Sequence, residues 1–482
     1  MPKFFWLTIA VFAHGFLSAQ TLSLSWSSPV TVAGGSAYGS QRPRIALVQD
    51  SIPLVSWGKN NAQLFASRWN GSAFTAPATL TPAGVNCYVS TAEGPELAAK
   101  GDTAYAVMFT TDDRLYAFRS SDGGLSWSDT LRIDQQDSLL PYTPVVAVGP
   151  GGNPYIAYEA SDANFNFPKH YFIRSTDGGN TFLPEVIASD ASVGQPCECC
   201  PPAIALRDTN VFIAYRNNLN NLRECYVSSS ANNGASFFPA AQFDFSAWNI
   251  TACPTSGPDL HLNGDSLTAV WMSRQGTLTR IFAGTWNTAT QQFGFNRLAD
   301  PNPPASFPAS RPSVAGSGDT LGVTWDDNRN GNPDCWLSVS VDGAPGLNTV
   351  LQVNDTASDA GTQNNVNVAY GGGYFHFVYT DVMTNSIIYR KARIEGFVGE
   401  NEFTQPGGAL KIFPNPAQEI FSVEAKSAGT FELFDLSGAC VRREKISAGR
   451  RTVRTDELAS GVYLYRFSGE KNYVVHGKIV LY

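Results

Sequence analysis

Short apolar runs with a period of two, each broken by glycine, proline or aspartate, fill the chain from about residue 22 to 395 and predict strands rather than helices. They group into units of about 50 to 57 residues between positions 40 and 395, a repeat length that signals a propeller or a solenoid. Each unit opens on a proline-containing segment, passes through a β-branched run and a Gly/Asp turn, and reaches a second run that ends in an aromatic. The clearest copies are Arg42-Pro43-Arg44-Ile45-Ala46-Leu47 with Val55-Ser56-Trp57, Pro202-Ala203-Ile204-Ala205-Leu206 with Ile213-Ala214-Tyr215, and Arg311-Pro312-Ser313-Val314 with Val323-Thr324-Trp325. Others start at Pro95, Pro144, Pro258 and near Asn365, which makes seven units. The last has three strands of its own, over 366–370, 374–379 and 386–393. The N-terminal strand over 22–32, with Trp26, is therefore predicted to supply the fourth and to close a ring without open edges.

The third and fourth strands of three units are joined by one motif: Ser120-x-Asp122-x-Gly124-x-Ser126-Trp127, Ser175-x-Asp177-x-Gly179-x-Thr181-Phe182, and Ser230-x-Asn232-x-Gly234-x-Ser236-Phe237. Its chemistry is that of a turn, in which the Asp or Asn side chain accepts backbone N–H bonds, glycine supplies positive φ and the aromatic packs between sheets. It calls for no catalytic role. The motif resembles the Asp box of sialidases and sialidase-like propellers, and the resemblance covers roughly residues 21–395. The expected fold is all-β: a seven-bladed β-propeller, with six blades as the alternative because sialidases have six, followed by a small antiparallel β-sandwich.

At 482 residues, more than one domain is the default. Only 15% of residues are charged, against 12% aromatics, which suits many short strands joined by tight turns. The net charge of −8 argues against a nucleic-acid partner. The one basic cluster, Arg442, Arg443, Lys445, Arg450, Arg451 and Arg454, reads as exposed charge on a small domain. Residues 1–19 have the form of a signal peptide, with Lys3, the apolar stretch 4–16 and Leu17-Ser18-Ala19, and the mature chain is expected to begin at Gln20. No later segment approaches the ~20 apolar residues of a spanning helix.

After a linker over 396–408 the pattern changes. Lys411-Ile412-Phe413-Pro414-Asn415-Pro416, then Asp435-Leu436-Ser437-Gly438, then Gly461-Val462-Tyr463, then Gly477-Lys478-Ile479-Val480 follow in order. Read physically, residues 409–482 are a small antiparallel sandwich. The four motifs resemble the type A sorting domain of type IX secretion. That resemblance implies a partner in the type IX machinery and a destination in the medium or at the outer-membrane surface. The expected partner there is an extracellular glycan or protein, with the chain a monomer.

In a propeller, the segments entering each innermost strand and those joining second to third strands open on one face. That rule gathers Arg42, Glu93, Cys197, Cys199, Cys200, Cys253 and Arg311 with Asp112, Asp113, Glu159, Arg216, Arg274, Asp326, Asp327, Arg329 and Asp381. Sialidase chemistry needs three arginines on a carboxylate, a Tyr activated by Glu and an acidic proton donor. The candidates are Arg42, Arg216, Arg274, Arg311 and Arg329 for the clamp, Tyr379 as nucleophile and Asp326 as the acid. The Arg-Ile-Pro segment typical of sialidases is here Arg42-Pro43-Arg44-Ile45, and no Glu pairs with a Tyr in the sequence.

A second constellation is Pro196-Cys197-Glu198-Cys199-Cys200-Pro201-Pro202 leading into the fourth unit and Cys253 leading into the fifth. It resembles a group of sialidase-like propellers with Cys-x-Cys-Cys segments. Three readings stand: disulfides, including a Cys199 or Cys200 link to Cys253; soft-metal binding, with copper(I) or zinc as cofactor; and redox or nucleophilic chemistry. Cys225 and Cys335 are expected to be buried in third strands, and Cys87 to stand near the cluster. The function classes are accordingly a glycan-binding or sialidase-type propeller, and a non-enzymatic or metal-holding one.

Overall fold

The computed structural model describes residues 21–35, 39, 41–59, 62–128, 130–355, 361–398, 410–435, 438–469 and 474–481. The expected signal peptide over 1–19, most of the linker, Leu436 and Ser437 lie outside them. The chain divides between Phe397 and Val398 into two compact units.

In the first unit the described residues form seven antiparallel sheets. Their innermost strands are Gln41–Val48, Glu96–Lys100, Leu140–Val148, Ala203–Arg207, Asp259–Asn263, Ala309–Ser317 and Gln363–Gly371. Each touches the next in this order and the seventh touches the first, so the ring closes. The strand Thr21–Trp26 lies outermost on the seventh sheet, against Ser386–Val398, as the missing fourth strand required. Trp26 stacks on Phe377 at 5.6 Å and carries the Arg390 guanidinium on its ring at 4.7 Å.

The aromatic that ends each second strand recurs in every sheet: Trp57, Phe109, Tyr158, Tyr215, Trp271, Trp325 and Tyr379, none more than 5% exposed. These rings wedge between neighbouring sheets, where large apolar area is removed from water. The innermost strands begin differently. Register shifts fall at Gln41/Arg44, Tyr142/Val145, Ser310/Ser313 and Asn364/Asn367. In these four bulges Arg42, Thr143, Arg311 and Asn365 take positive φ. An extra residue in one strand turns the following side chains toward the mouth of the ring.

The Ser-x-Asp-x-Gly turns sit at the other end of the strands. Asp122 accepts the N–H groups of Leu125 and Ser126, at 3.1 and 2.9 Å, and Ser120 Oγ accepts that of Gly124 at 2.7 Å. Hydrogen bonding, led by the Ser126 hydroxyl, pushes the Asp122 carboxyl down to about 2. Asp177 and Asn232 repeat the pattern.

The second unit is two sheets, one of three strands and one of four, around Phe421, Val423, Phe431, Leu433, Val453, Phe467 and Ile479. Asn415 of the Pro-Asn-Pro segment donates to Lys478 O and accepts Val480 N–H, at 2.9 and 3.0 Å, so the first and last of the four motifs hold each other. The basic cluster is largely paired, with Arg443 on Glu432 and Arg442 on Glu444. Among the described residues no helix is long and apolar enough to cross a membrane.

Candidate functional site

At the mouth of the ring the seven strand starts enclose a polar cavity of about 110 Å³, lined in part by Arg42, Arg44, Glu96, Asp259, Arg311 and Asn367. That is room for several waters or one small polar group. Arg44 Nε lies 2.9 Å from Glu96 Oε1, and Arg42 pairs with the same oxygen. Burial pushes the Glu96 carboxyl up, but the Arg44 and Arg42 guanidiniums outweigh it and hold it below its ordinary range. Burial, then the Arg44 charge, brings Arg42 down to about 10, still a cation at neutral pH. Asp259 is pushed up to about 6 by burial, against the pull of two backbone N–H donors. Arg311 Nε meets Asp326 Oδ2 at 2.7 Å, and that carboxylate also accepts Asn365 N–H from the seventh sheet at 2.9 Å.

The residues proposed for a sialidase clamp do not gather here. Arg42 and Arg311 reach the cavity, each already paired. Arg216 has no exposed surface and donates to the carbonyls of Arg223, Ser256 and Met272, with Asp244 at 3.8 Å. It fastens the fourth sheet to the fifth. Arg274 lies exposed on the hairpin between Ser266–Gln275 and Leu278–Asn287, and Arg329 is bound to Asp327 and Asp300. Tyr379 is fully buried as the seventh copy of the repeat's wedge aromatic, packed with Phe375 and Phe377. Asp326 is buried between Arg311 and the start of the seventh sheet. Glu159, Arg216 and Asp326 each follow that aromatic in their own sheets, so one repeat position carries three different polar fasteners.

The cysteines do gather. Between Gln195–Pro196 and Ala203–Arg207 the chain loops out, and the N–H groups of Cys199 and Cys200 both return to Cys197 O, at 2.8 and 3.2 Å. Gly257 makes the approach of the fifth sheet's leading segment possible, since a Cβ there would stand 1.8 Å from Pro201 O. Cys199 and Cys253 form a disulfide, while Cys197 and Cys200 remain thiols. All four sulfurs lie within 4.8 Å of one another. Cys197 Sγ is 3.3 Å from Cys200 Sγ and 3.4 Å from Cys253 Sγ. Cys87, expected near the cluster, is buried elsewhere, bridged to Ala62 and Thr110. Cys225 and Cys335 are fully buried in third strands, as expected.

Two guanidiniums face this sulfur group. Arg223 Nη1 donates to Cys197 Sγ at 2.9 Å and to Glu198 Oε2 at 3.0 Å. Burial opposes ionisation of Cys200, but the Cys197 thiol, the Arg216 charge and the Ser256 N–H bring it below the ordinary thiol range. Hydrogen bonding to Cys200, then burial, pushes the Cys197 thiol above the ordinary range. Burial, then the charge of the neighbouring Cys197, pushes the Glu159 carboxyl of the third sheet well above its ordinary range, and the Tyr142 hydroxyl donates to its Oε1 at 3.1 Å. Arg223, Glu96, Asp259 and Ser256 were not singled out in the sequence. They sit one or a few positions from residues that were, and nothing but the fold shows that they turn inward.

Residues 411–482 match the family of the secretion system C-terminal sorting domain. The C-terminal unit is thus a type IX sorting domain, which directs the chain to the medium or to the outer-membrane surface. No curated protein matches it in sequence. Among solved structures, it is similar to a protein of unknown function from Dyadobacter fermentans DSM 18053, at 11% identity and TM-score 0.46, over 77% of this chain and 99% of that one. An α-L-arabinanase of Penicillium chrysogenum, solved with arabinobiose, is similar at 12% identity and TM-score 0.41, over 77% and 98%. A sialidase of Trypanosoma rangeli, solved with the inhibitor DANA, is similar at 10% and 0.42, over 94% and 89%.

Proposed function

We propose that this exported propeller binds an extracellular glycan at the mouth of its ring and does not hydrolyse sialosides. The observation that carries the reading is the charged cavity where Arg42, Arg44, Glu96, Asp259 and Arg311 meet, on the face that collects seven strand starts. Hydroxyl-bearing ligands are held by such sets of paired donors and acceptors. A hydrolase would need a free clamp and a reachable nucleophile, and Arg216, Arg274 and Tyr379 supply neither. On a glycan array the purified full chain is expected to bind, and Arg311→Ala to lose at least tenfold in affinity. A fluorogenic sialoside is expected to stay intact. An array without signal, or turnover of the sialoside, would refute the reading.

A second reading is favoured by the sulfur geometry. A tetrahedral thiolate shell with metal–sulfur bonds of ~2.3 Å has edges of about 3.8 Å, and the separations among the sulfurs of Cys197, Cys200 and Cys253 run from 3.3 to 3.9 Å. Once its disulfide is reduced, the cluster fits a soft metal, copper(I) foremost. One copper per reduced chain by elemental analysis supports this, and none removes it.

A further inference from the structure

Two thiols stand against one sulfur of the Cys199–Cys253 disulfide, Cys197 Sγ at 3.4 Å and Cys200 Sγ at 3.9 Å from Cys253 Sγ. A bond that only pinned the fourth sheet to the fifth would have no use for such a pair. The pair also has what thiol–disulfide exchange requires: contact with the sulfur to be attacked, positive charge alongside, and a leaving cysteine that is not fully buried. Arg223 Nη1 is on Cys197 at 2.9 Å. Cys199 is partly exposed, whereas Cys197 and Cys200 are buried. The propeller's cysteines outside the cluster, Cys87, Cys225 and Cys335, are buried and form no disulfide with it.

We propose that the four sulfurs are an exchange centre that reduces disulfides of extracellular molecules, with Cys197 and Cys200 as the buried dithiol and Cys199 as the outward nucleophile. In the first step Cys200 thiolate attacks Cys253 Sγ. The Cys200–Cys253 bond forms, the Cys199–Cys253 bond breaks and the electron pair leaves on Cys199, with no net oxidation. Cys199 thiolate then attacks a partner disulfide, joins one half of it and releases the other half as a thiolate. Cys197 thiolate attacks Cys199 Sγ and releases the second half. The cluster ends with Cys200–Cys253 and Cys197–Cys199 bonds. Two protein thiols are oxidised to one disulfide, one partner disulfide is reduced to two thiols, and the protons of Cys197 and Cys200 go to the products. An extracellular dithiol resets the centre by the reverse route.

The experiment uses the full chain carrying Cys440→Ser, which removes the exposed cysteine of the C-terminal domain, isolated without reductant and treated with the aromatic disulfide dithiobis-nitrobenzoate under native conditions. The expected result is release of two nitrothiolates per chain. Peptide mapping is expected to show one disulfide in the cluster before treatment, and Cys200–Cys253 with Cys197–Cys199 after it. Adding Cys197→Ser and Cys200→Ser keeps the Cys199–Cys253 bond and is expected to abolish the release. Three outcomes overturn the proposal: no release from the parent, a treated cluster in which Cys197–Cys200 has formed beside an intact Cys199–Cys253, or four thiolates holding a metal in the protein as isolated. Because the parent is mapped by itself, the test does not depend on the double variant folding. Glycan binding is read separately and stands or falls without it.

Discussion

Arg216 donates to three carbonyl oxygens from a site with no exposed surface, and Tyr379 lies in the packing between two sheets. The repeat placed both at the correct ends of the correct strands, but did not say which way they face. Second strands such as Asn210–Asn218 and Tyr374–Asp381 are buried on both faces, so the alternation that betrays orientation is absent. For Tyr379 a signal did exist, because it stands in register with Trp57, Tyr215 and Trp325 of the other units. Cys197, Cys199, Cys200 and Cys253 were legible as a group, since adjacent units place their leading segments side by side. His170 is the residue whose chemistry shows most directly in solution. It is fully buried against Tyr215, neither ring nitrogen has a partner, and burial pushes it down to about 3. The unfolded chain, with an ordinary histidine near 6.5, binds more protons between those values, so stability present above pH 6.5 is lost as pH falls toward 3. At pH 5 the loss from this residue is about 2 kcal/mol. Denaturant midpoints at pH 7.5 and pH 5 are expected to show His170→Phe losing that much less than the unsubstituted chain, and equal losses would contradict the assignment.

At the scale of the element, each sheet is tied at both ends by devices of different visibility. The Ser-x-Asp-x-Gly turns could be read from spacing alone because their chemistry is local: a carboxylate, a glycine and the amides three and four residues on. The bulges at Arg42, Thr143 and Arg311 could not. A residue before proline ordinarily avoids positive φ, and only the ring around it holds each one there. The prolines nevertheless marked where the strands begin. Asp122→Ala leaves the Leu125 and Ser126 amides to water, and is expected to cost about 1 kcal/mol, a modest figure because the turn is exposed. Asp122→Asn is expected to cost less than half as much, since Asn232 does the same work in the fourth sheet through its amide oxygen, accepting Ser236 N–H at 3.0 Å. Urea midpoints, with hydrogen exchange at Leu125 and Ser126, check both. Equal costs for the two variants would mean that the amide acceptor is not what the turn needs.

At the scale of the molecule, seven sheets closing on the N-terminal strand bring residues far apart in sequence to one mouth. Ring closure was legible because the seventh unit lacked a strand and the chain began with one to spare. The destination was legible in residues 411–482, where motifs spread over the whole small domain meet in Asn415 and Val480. The ligand was not, because a cavity is made by side chains from all seven units and no single segment carries its pattern. The account rests on the fourth and fifth strand starts being neighbours. The most direct measurement is to block free thiols in the secreted protein, digest it without reduction and identify what Cys253 is joined to. The expected product links the peptide bearing Cys253 to the peptide bearing Cys197 to Cys200. Cys253 joined instead to Cys87, Cys225 or Cys335 would contradict the ring and the site built on it.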